Sequence, residues 1–340
     1  MNTPTYTAQQ LADQFGLQVH GDPSTAIHGV ATLAHAGAGQ LTFLANPRYR
    51  AQLADSQAGI VVLRAEDADA APGTALVAKD PYTTFAKIGA LFDIAPTRPP
   101  GIHPSAVIDP QAQVAASAHV GPFVTIGARS VIGDNCIIGA GSIIGEDCTL
   151  DSGCELIARV TLVTRVKLGK RVRIHPGAVL GADGFGLAMD AGKWIKVPQL
   201  GGVRIGDDCE IGANTCVDRG ALEDTVLAED VRLDNLVQIA HNVQIGAHSA
   251  IAGCTGIAGS AKIGRYCLLG GAVGVVGHLE ICDKVVITGK SVVRNSITEP
   301  GEYSSGTPLT DNRTWRKNAA RFKQLDALAR RILSVSKEKE

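Results

Sequence analysis

An aliphatic residue recurs at every sixth position through most of the stretch from Ile102 to Val293. Each of these positions holds Ile, Leu or Val, and a small residue or Val usually follows four places later. A glycine often follows the aliphatic residue directly, as at Gly127 and Gly133. A period of six fits neither an amphipathic helix nor an alternating strand, but it is typical of a β-helix built from short strands and tight corners.

Each six-residue repeat is predicted to form one face of a triangular prism, so that three repeats make one coil. The aliphatic side chain points into the prism, and the small residue fills the space near the corner. We expect the glycines to supply positive φ angles where the chain turns, since glycine tolerates that conformation. Coils stack ~4.8 Å apart, as strands do in a sheet, so about ten coils give a body roughly 45 Å long.

The composition agrees with an aliphatic, glycine-rich β-helix and excludes some classes of function. Aromatic residues make up only 4% of a chain that contains 39 glycines. A net charge of −1 and a pI near 6.8 argue against a nucleic-acid partner. The longest uncharged run in the apolar region is far too short to span a bilayer, and the N-terminus has no basic segment followed by an apolar one. We therefore expect a cytoplasmic protein with no transmembrane segment.

The eight cysteines follow the repeat rather than a metal motif. No CxxC pair occurs, and three cysteines (Cys216, Cys254 and Cys282) lie off the small interior position. The other five lie on it: Cys136, Cys148, Cys154, Cys209 and Cys267. We predict reduced cysteines that serve mainly in packing, and no metal site.

Three segments are expected. Residues 1–98 lack the repeat and predict a small α/β domain, in which TAQQLADQFG forms a helix capped by Thr7 and ended by Gly16. The following LTFLANPRYRAQLADSQAGIVVL predicts strand, loop, helix and strand. Residues 102–297 form the β-helix, and the Pro-rich stretch from Ala95 to Pro104 is the expected linker.

Residues 298–340 form a C-terminal loop and helical extension. A helix is predicted from Trp315 to Val335, with one apolar stripe. The stripe consists of Phe322, Leu325, Ala329 and Ile332. One helix cannot bury such a stripe alone, so we expect it to pack against copies of itself.

Two insertions, at 181–202 and 218–225, interrupt the repeat. Loops that leave a rigid scaffold commonly carry function, although tolerated surface insertions remain an alternative.

The repeat also aligns chemical groups. Gly259 follows His241 by one coil and so lies ~4.8 Å above it on the same edge, and His278 lies about two coils above His241. An imidazole base beside a backbone N–H suits acyl transfer, in which the base removes a proton from the nucleophile and the N–H stabilises the oxyanion. A solvated corner histidine is the plain alternative, and we favour it for His119, His175 and His248.

Several motifs resemble those of one family, and together they cover nearly the whole chain. They are TFLANPRY (42–49), GADGFG (181–186), VDRGALEDT (217–225), DNLVQIAHNVQIG (234–246), GRYCLLGG (264–271), GHLEICDKV (277–285), and ITEPGEYSSGTPL with WRK (297–309, 315–317). The repeat resembles that of the left-handed β-helix acyltransferases. Within them the chain is similar to the UDP-3-O-(3-hydroxyacyl)glucosamine N-acyltransferases of lipid A biosynthesis. The resemblance implies a mainly β fold with a left-handed parallel β-helix, contrary to the usual right-handed crossover.

The resemblance also implies an activity and roles for residues. The family transfers a 3-hydroxyacyl group from acyl carrier protein to the 2-amine of a UDP-linked, O-acylated glucosamine. His241 matches the general base and Gly259 the oxyanion donor. His278 matches a histidine that positions or polarises the thioester. Asp234 matches a residue near the acyl hydroxyl or the base.

In the N-terminal segment, Phe43, Asn46 and Tyr49 match the family's uracil site, where aromatic faces stack on the base and an amide pairs with it. Without the family, the two aromatic residues would be taken for ordinary core residues.

The family is a homotrimer with each active site between adjacent prisms. No metal or bound cofactor is implied, since phosphopantetheine arrives on the carrier. Val292 departs from the Met of one relative, which leaves the preferred acyl length open.

Three alternatives remain. One is a metal-dependent hydratase on the same prism, with zinc held by histidines such as His241 and His248 from neighbouring subunits. The second is a non-catalytic binding scaffold. The third is a sister acyltransferase that acts on another nucleotide sugar or at oxygen.

Overall fold

The structure, a computed structural model, describes residues 4–94 and 98–337, with side chains as far as residue 332. The chain divides into two compact units, Met1–Thr97 and Arg98–Glu340. The first three residues of the expected linker, 95–97, lie outside the described residues. Its last part is not linker, because Gly101–Ile102 already forms a strand of the second unit.

The first unit is built on a five-stranded mixed sheet covered by two α-helices. In spatial order the strands are Gln18–His20, Thr74–Val77, Ile60–Leu63, Gln40–Phe43 and Gly29–Val30. The strands Tyr6–Thr7 and Ala26–Ile27 form a separate pair. The helices are α1 (Ala8–Phe15) and α2 (Pro81–Gly89), with 3₁₀ helices at Pro47–Gln52, Ala65–Ala70 and Ala90–Phe92.

Helix α1 confirms the prediction at both ends. The Thr7 hydroxyl accepts from the Gln10 N–H, and the Gln10 side chain accepts from the Thr7 N–H, which completes a capping box. Gly16 ends the helix with a φ of 66°. The predicted strand, loop, helix and strand that follow are also present, but the helix is 3₁₀.

The second unit is a triangular prism of three parallel sheets, which we call faces I, II and III. The eleven strands of face I are Gly101–Ile102, His119–Val120, Ile137–Ile138, Glu155–Leu156, Arg173–Ile174, Glu210–Ile211, Arg232–Leu233, Ala250–Ile251, Leu268–Leu269, Val285–Ile287 and Gly301–Tyr303. The ten strands of face II are Val107–Ile108, Thr125–Ile126, Ile143–Glu146, Thr161–Thr164, Val179–Asp183, Cys216–Arg219, Gln238–Ile239, Gly256–Ile257, Gly274–Val275 and Val292–Val293. The nine strands of face III are Gln113–Val114, Val131–Ile132, Thr149–Leu150, Val166–Leu168, Val203–Ile205, Thr225–Leu227, Gln244–Ile245, Lys262–Ile263 and Glu280–Ile281. The predicted fold class, a mainly β chain with a left-handed parallel β-helix, is confirmed.

The aliphatic residues of the repeat form the core of the prism. From Val120 to Val293 each of them is at most 9% exposed. The first coil differs: Ile102 is 53% exposed, and Ile108 and Val114 are only partly buried. Among the described residues no coil precedes this one, so no neighbouring coil packs on that side of its interior.

The expected role of the repeat glycines was wrong. Gly139 has no positive φ, and a Cβ built on it would lie 1.8 Å from the carbonyl oxygen of Ile157 in the next coil. Gly145 meets Val163 in the same way. Glycine is therefore needed there because stacked backbones approach closely. Positive φ angles occur instead two residues later, mostly at non-glycine residues such as Asn242 (φ 60°).

All eight cysteines lie among the described residues and are free. The five on the interior position are buried. Burial raises the pKa of the Cys209 thiol to about 11, which keeps it protonated and unreactive at neutral pH.

The C-terminal extension differs from the single predicted helix. It contains α3 (Asn312–Phe322) and α4 (Leu325–Lys337). Between them the Gln324 N–H donates to the Arg321 carbonyl at 2.9 Å, a three-residue step that interrupts the α-helical ladder. The apolar stripe is exposed on both helices. Within residues 4–94 and 98–337, no helix is long and apolar enough to cross a membrane.

Candidate active site

His241, Gly259 and His278 lie along one edge of the prism, where the chain passes from face II to face III. The strands that precede them are paired in register, Gln238–Ile239 with Gly256–Ile257 and then Gly274–Val275. A Cβ built on Gly259 would lie 2.7 Å from both Cε1 and Nε2 of His241. The imidazole thus packs directly on Gly259, as the repeat predicts, and any side chain at residue 259 would displace the ring.

The backbone at Gly259 presents a donor beside this ring. The neighbouring N–H groups of Ala258 and Ser260 donate to Val275 and His241 carbonyls. For the Gly259 N–H, no acceptor occurs in the described part of the chain. His278 is exposed one coil further on, and its N–H donates to the Gly259 carbonyl at 3.0 Å.

The first insertion packs against the other side of His241. It leaves face II at Val179–Asp183, forms the hairpin Leu187–Asp190 and Lys193–Lys196, and returns at Val203–Ile205. A Cβ on Gly184 would lie 2.7 Å from the Cβ of His241 and 2.8 Å from Oε1 of Gln199. Gln199 is 6% exposed. Its Nε2 donates to the Val197 carbonyl, while its Oε1 has no hydrogen-bond partner among the described residues. A buried acceptor without a partner among the described residues therefore lies near His241.

The second insertion reaches His241 through Asn242. Oδ1 of Asn242 lies 3.0 Å from Nδ1 of His241 and also accepts from the Ala221 N–H at 3.0 Å. Nδ2 of Asn242 donates to the Glu223 carbonyl at 3.1 Å. The Asn242 N–H donates to Oγ1 of Thr225 at 2.9 Å. Both interruptions of the repeat thus converge on the same histidine.

Asp218 contributes a carboxylate to this edge. It lies on the face II strand Cys216–Arg219, one coil below Gln238, whose Nε2 donates to its Oδ2 at 3.1 Å. Burial raises the pKa of Asp218, while the Gln238 hydrogen bond and the charge of His241 act to lower it. A half-buried carboxylate that interacts with the imidazole favours the protonated, cationic form of the ring.

An apolar groove of about 460 Å³ runs along face II beside this edge, from coil to coil. Its floor includes Gly256, Gly274 and Ala258, and Gln238 and Val292 lie at its two ends. The two glycines lack side chains at adjacent positions of one column, which leaves space for an extended chain. The groove can therefore accommodate a hydrocarbon chain that begins near His241.

Asp234 lies on a different edge, between faces I and II, and within one chain the structure does not bring it to His241. Its carboxylate accepts from the Asn235 and Gly253 N–H groups at 2.7 and 2.9 Å. It lines a separate cavity of about 690 Å³ on face I, together with Glu210 and Arg232.

The three residues expected at a uracil site lie close in sequence in the first unit. The Phe43 ring packs on Phe85 and Tyr82, with centroids 4.4 and 5.5 Å apart. Tyr49 is 48% exposed. Asn46 caps the 3₁₀ helix Pro47–Gln52, since its Oδ1 accepts from the Arg48 N–H. Nδ2 of Asn46 thus remains available to donate a hydrogen bond to a ligand. Tyr82 is a further exposed aromatic ring, which the sequence analysis did not predict to be part of the site.

Two of the other three corner histidines pair with carboxylates, while Nδ1 of the third, His119, lies 2.8 Å from the Pro99 carbonyl oxygen. His175 lies 2.8 Å from Glu210, and His248 lies 3.0 Å from Asp230. In the parts of the chain that the structure describes, no group of three or more His, Cys, Asp or Glu residues is placed to hold a metal ion.

Comparison with known proteins gives family models for two parts of the chain and relatives along nearly its whole length. The model of UDP-3-O-(3-hydroxymyristoyl) glucosamine N-acyltransferase matches residues 24–91, and the model of the GMPPB C-terminal domain matches residues 102–184. The UDP-3-O-acylglucosamine N-acyltransferase of Xanthomonas axonopodis pv. citri (strain 306) is 84% identical over 98% of this chain and 99% of its own. The enzyme of the same name from Xylella fastidiosa (strain M12) is 74% identical over 99% of each chain.

Among solved structures, the UDP-N-acetylglucosamine O-acyltransferase of Moraxella catarrhalis is 25% identical, with a TM-score of 0.47. The match covers 67% of this chain and 83% of that one. The Arabidopsis UDP-N-acetylglucosamine acyltransferase is 23% identical, with a TM-score of 0.45, over 67% of this chain and 82% of that one.

Proposed function

The chain belongs to the UDP-3-O-acylglucosamine N-acyltransferase family and is an acyltransferase of lipid A biosynthesis, and we propose that it takes a 3-hydroxyacyl group from acyl carrier protein. The acceptor is the 2-amine of UDP-3-O-(3-hydroxyacyl)glucosamine. The bond that forms is an amide, and the bond that breaks is the thioester to the carrier's phosphopantetheine. The reaction needs no metal and no cofactor bound to the enzyme itself.

His241 is the general base of this reaction. The neutral amine attacks the thioester carbonyl while Nε2 of His241 removes its proton. The tetrahedral oxyanion accepts a hydrogen bond from the Gly259 N–H. When the intermediate collapses, the imidazolium returns the proton to the departing thiolate, so that the base is regenerated. His278 positions or polarises the thioester, and Asp234 acts near the acyl hydroxyl or the base.

The observation that carries this proposal is the contact between Gly259 and the imidazole. It places the imidazole beside an N–H for which the described part of the chain offers no acceptor. Their sequence neighbours Ala240 and Ala258 line an apolar groove. A backbone donor costs little reorganisation during the reaction because the coil holds it in place. The groove supports binding of the acyl chain, with Val292 at its far end.

The nucleotide is proposed to bind the first unit. Phe43 and Tyr49 offer aromatic faces for the uracil, and Asn46 offers its Nδ2 as a donor. The exposed Tyr49 ring supports this assignment, since an exposed ring is free to meet a base.

The working molecule is proposed to be a cytoplasmic homotrimer with each active site between adjacent prisms. The exposed apolar stripe on α3 and α4 supports self-association, because it is not buried within the chain. Asp234, which lies on another edge, would then reach the site from a neighbouring copy. The acyl carrier protein is acidic, so we propose that basic residues on α3, such as Arg316 and Lys317, attract it electrostatically.

The test is an assay of the purified protein with an acyl carrier protein donor and two acceptors. UDP-3-O-acylglucosamine with a free 2-amine should be acylated, and its 2-N-acetylated form should not. The 3-hydroxyl of both acceptors is already acylated, so transfer to one of their remaining free hydroxyls would favour a sister enzyme that acts at oxygen. Absence of transfer to either acceptor would favour a binding scaffold.

A further inference from the structure

The segment 218–225 is the second insertion, and the proposed reaction gives it no role. Its residues surround one side chain, that of Asn242. Ala221 donates to Oδ1, Glu223 accepts from Nδ2, and Thr225 accepts from the Asn242 N–H. At Gly220 a Cβ would lie 1.6 Å from the Glu223 carbonyl oxygen and 2.9 Å from Nδ2 of Asn242. The insertion is thus shaped closely around this amide.

These contacts fix which way the amide points. A backbone N–H can only donate and a backbone carbonyl can only accept. The Ala221 N–H therefore requires an oxygen, and the Glu223 carbonyl requires the NH₂ group. Turning the amide over would break both hydrogen bonds and leave both backbone groups without a partner. The atom of Asn242 that faces the imidazole is the oxygen.

The orientation of the amide in turn fixes the proton on His241. Oδ1 of Asn242 is an acceptor only, so the hydrogen bond of 3.0 Å requires the proton to be on Nδ1. A neutral imidazole carries one ring proton, so Nε2 then has the free lone pair. Nε2 and Cε1 are the two ring atoms that lie against Gly259, and Nε2 is the only one of them with a lone pair. The base is thus held in the form that can accept a proton at the reaction site.

We propose that Asn242, anchored by the insertion 218–225, is a positioning residue that holds His241 in the Nδ1-protonated tautomer. This rests on the proposed function, in which His241 is the base. The donor and the acceptor that hold the amide, Ala221 and Glu223, both belong to the insertion. Asn242 acts only through His241 and does not itself touch the reacting atoms.

The backbone at residue 242 tolerates substitution. Its φ of 60° is shared by Ser260 in the next coil, and Ala272 has a φ of 56° at the same position of another repeat. Alanine can therefore replace Asn242 without a change of backbone. Asn135 has a φ of 55° at the same repeat position on another edge, so Asn135→Ala is a matched control.

The direct test is solid-state ¹⁵N NMR of the full chain labelled at histidine, with His241→Ala used to assign the His241 signals. We expect a protonated Nδ1 and a bare Nε2 in the unmodified protein near pH 8, and loss of this single form in Asn242→Ala. The kcat of Asn242→Ala should fall ~10–100-fold with little change in the KM for the UDP-sugar. Asn242→Asp keeps the acceptor for Nδ1 of His241 but sets a carboxylate oxygen against the Glu223 carbonyl, so it should recover only part of the lost kcat. Asn135→Ala should match the unmodified enzyme.

A bare Nδ1 with a protonated Nε2 in the unmodified protein would overturn the proposal, whatever the variants do. So would an Asn242→Ala variant that keeps both the original tautomer and at least half of the kcat. Failure of the proposed function gives a different result: His241→Ala would retain activity while the tautomer in the unmodified protein could still be as expected.

Discussion

Replacing Gly259 with alanine should disable the active site while leaving the prism folded. The new Cβ would lie 2.7 Å from Cε1 and Nε2 of His241, whereas ordinary contacts begin near 3.4 Å. The imidazole must therefore move by roughly 0.7 Å, and a misplacement of about 1 Å in catalytic geometry can cost ~10²-fold in rate. The φ of Gly259 is not positive, so alanine introduces no backbone strain. We expect kcat to fall by about 10²-fold.

The assay is kcat at saturating acyl carrier protein donor and UDP-sugar, together with thermal unfolding. Gly271→Ala is the matched control. Gly271 occupies the same position of its repeat, but its Cβ would meet nothing closer than the Gly253 oxygen at 3.4 Å. This control should retain normal activity.

A double variant shows whether the loss acts through the histidine. If the alanine methyl acts by displacing the base, then Gly259→Ala combined with His241→Ala should be no slower than His241→Ala alone. A Gly259→Ala enzyme with more than half of the normal kcat would refute the reasoning. A double variant with fully additive losses would refute the claim that the ring is the group affected.

Three further predictions test other parts of the molecule. Tyr49→Ala should weaken UDP-sugar binding by ~1–3 kcal/mol if its ring stacks on uracil, with kcat unchanged at saturation; unchanged affinity in calorimetry would remove Tyr49 from the nucleotide site. Asp218→Asn should raise the melting temperature above that of the unmodified protein at pH 8, because burial raises the pKa of Asp218 and makes its charged form costly. A raised pKa means that the native state binds the proton of Asp218 more tightly than the unfolded chain does. The destabilisation is therefore absent at a pH below the unfolded-state pKa near 3.8 and grows as the pH rises from there through the native pKa. A difference in melting temperature between Asp218→Asn and the unmodified protein that shrinks with rising pH would contradict the assignment. Reversing Arg316 and Lys317 to Glu should raise the KM for acyl carrier protein and flatten its salt dependence, while the KM for the UDP-sugar stays constant; equal kinetics at low and high salt would show that these charges do not dock the carrier.

The repeat predicted the prism because burial of one aliphatic residue in six is a strong and uniform constraint. Every aliphatic position from Val120 to Val293 is buried, and the alignment of Gly259 above His241 follows from the repeat length alone. The same repeat led to a wrong prediction for the glycines, which were expected to supply positive φ angles. The backbones of stacked coils approach each other so closely that no side chain fits at Gly139, whose φ is not positive. The sequence pattern does not show how closely two coils approach.

The sequence was less informative where the repeat stops. Asn242 is adjacent to His241, but its importance depends on hydrogen bonds to Ala221 and Glu223, which lie about twenty residues away in an irregular loop. Gln199 likewise reaches the site only because the first insertion folds back on the edge. The VDRGALEDT and AHN motifs were the available signal for Asn242. The break between α3 and α4 follows from a local change of hydrogen bonding at Gln324 that the apolar stripe does not reveal.

The central claim is that His241 removes the proton from the attacking amine, and a single-turnover measurement tests it most directly. The enzyme, in excess over UDP-3-O-acylglucosamine, is mixed with acyl carrier protein that bears a 3-hydroxyacyl group, and amide formation is followed over time. For His241→Ala we predict a rate ~10²–10⁴-fold below that of the unmodified enzyme, with the same affinity for the UDP-sugar and the same melting behaviour. A folded His241→Ala protein that forms the amide at more than half of the normal rate would contradict the account.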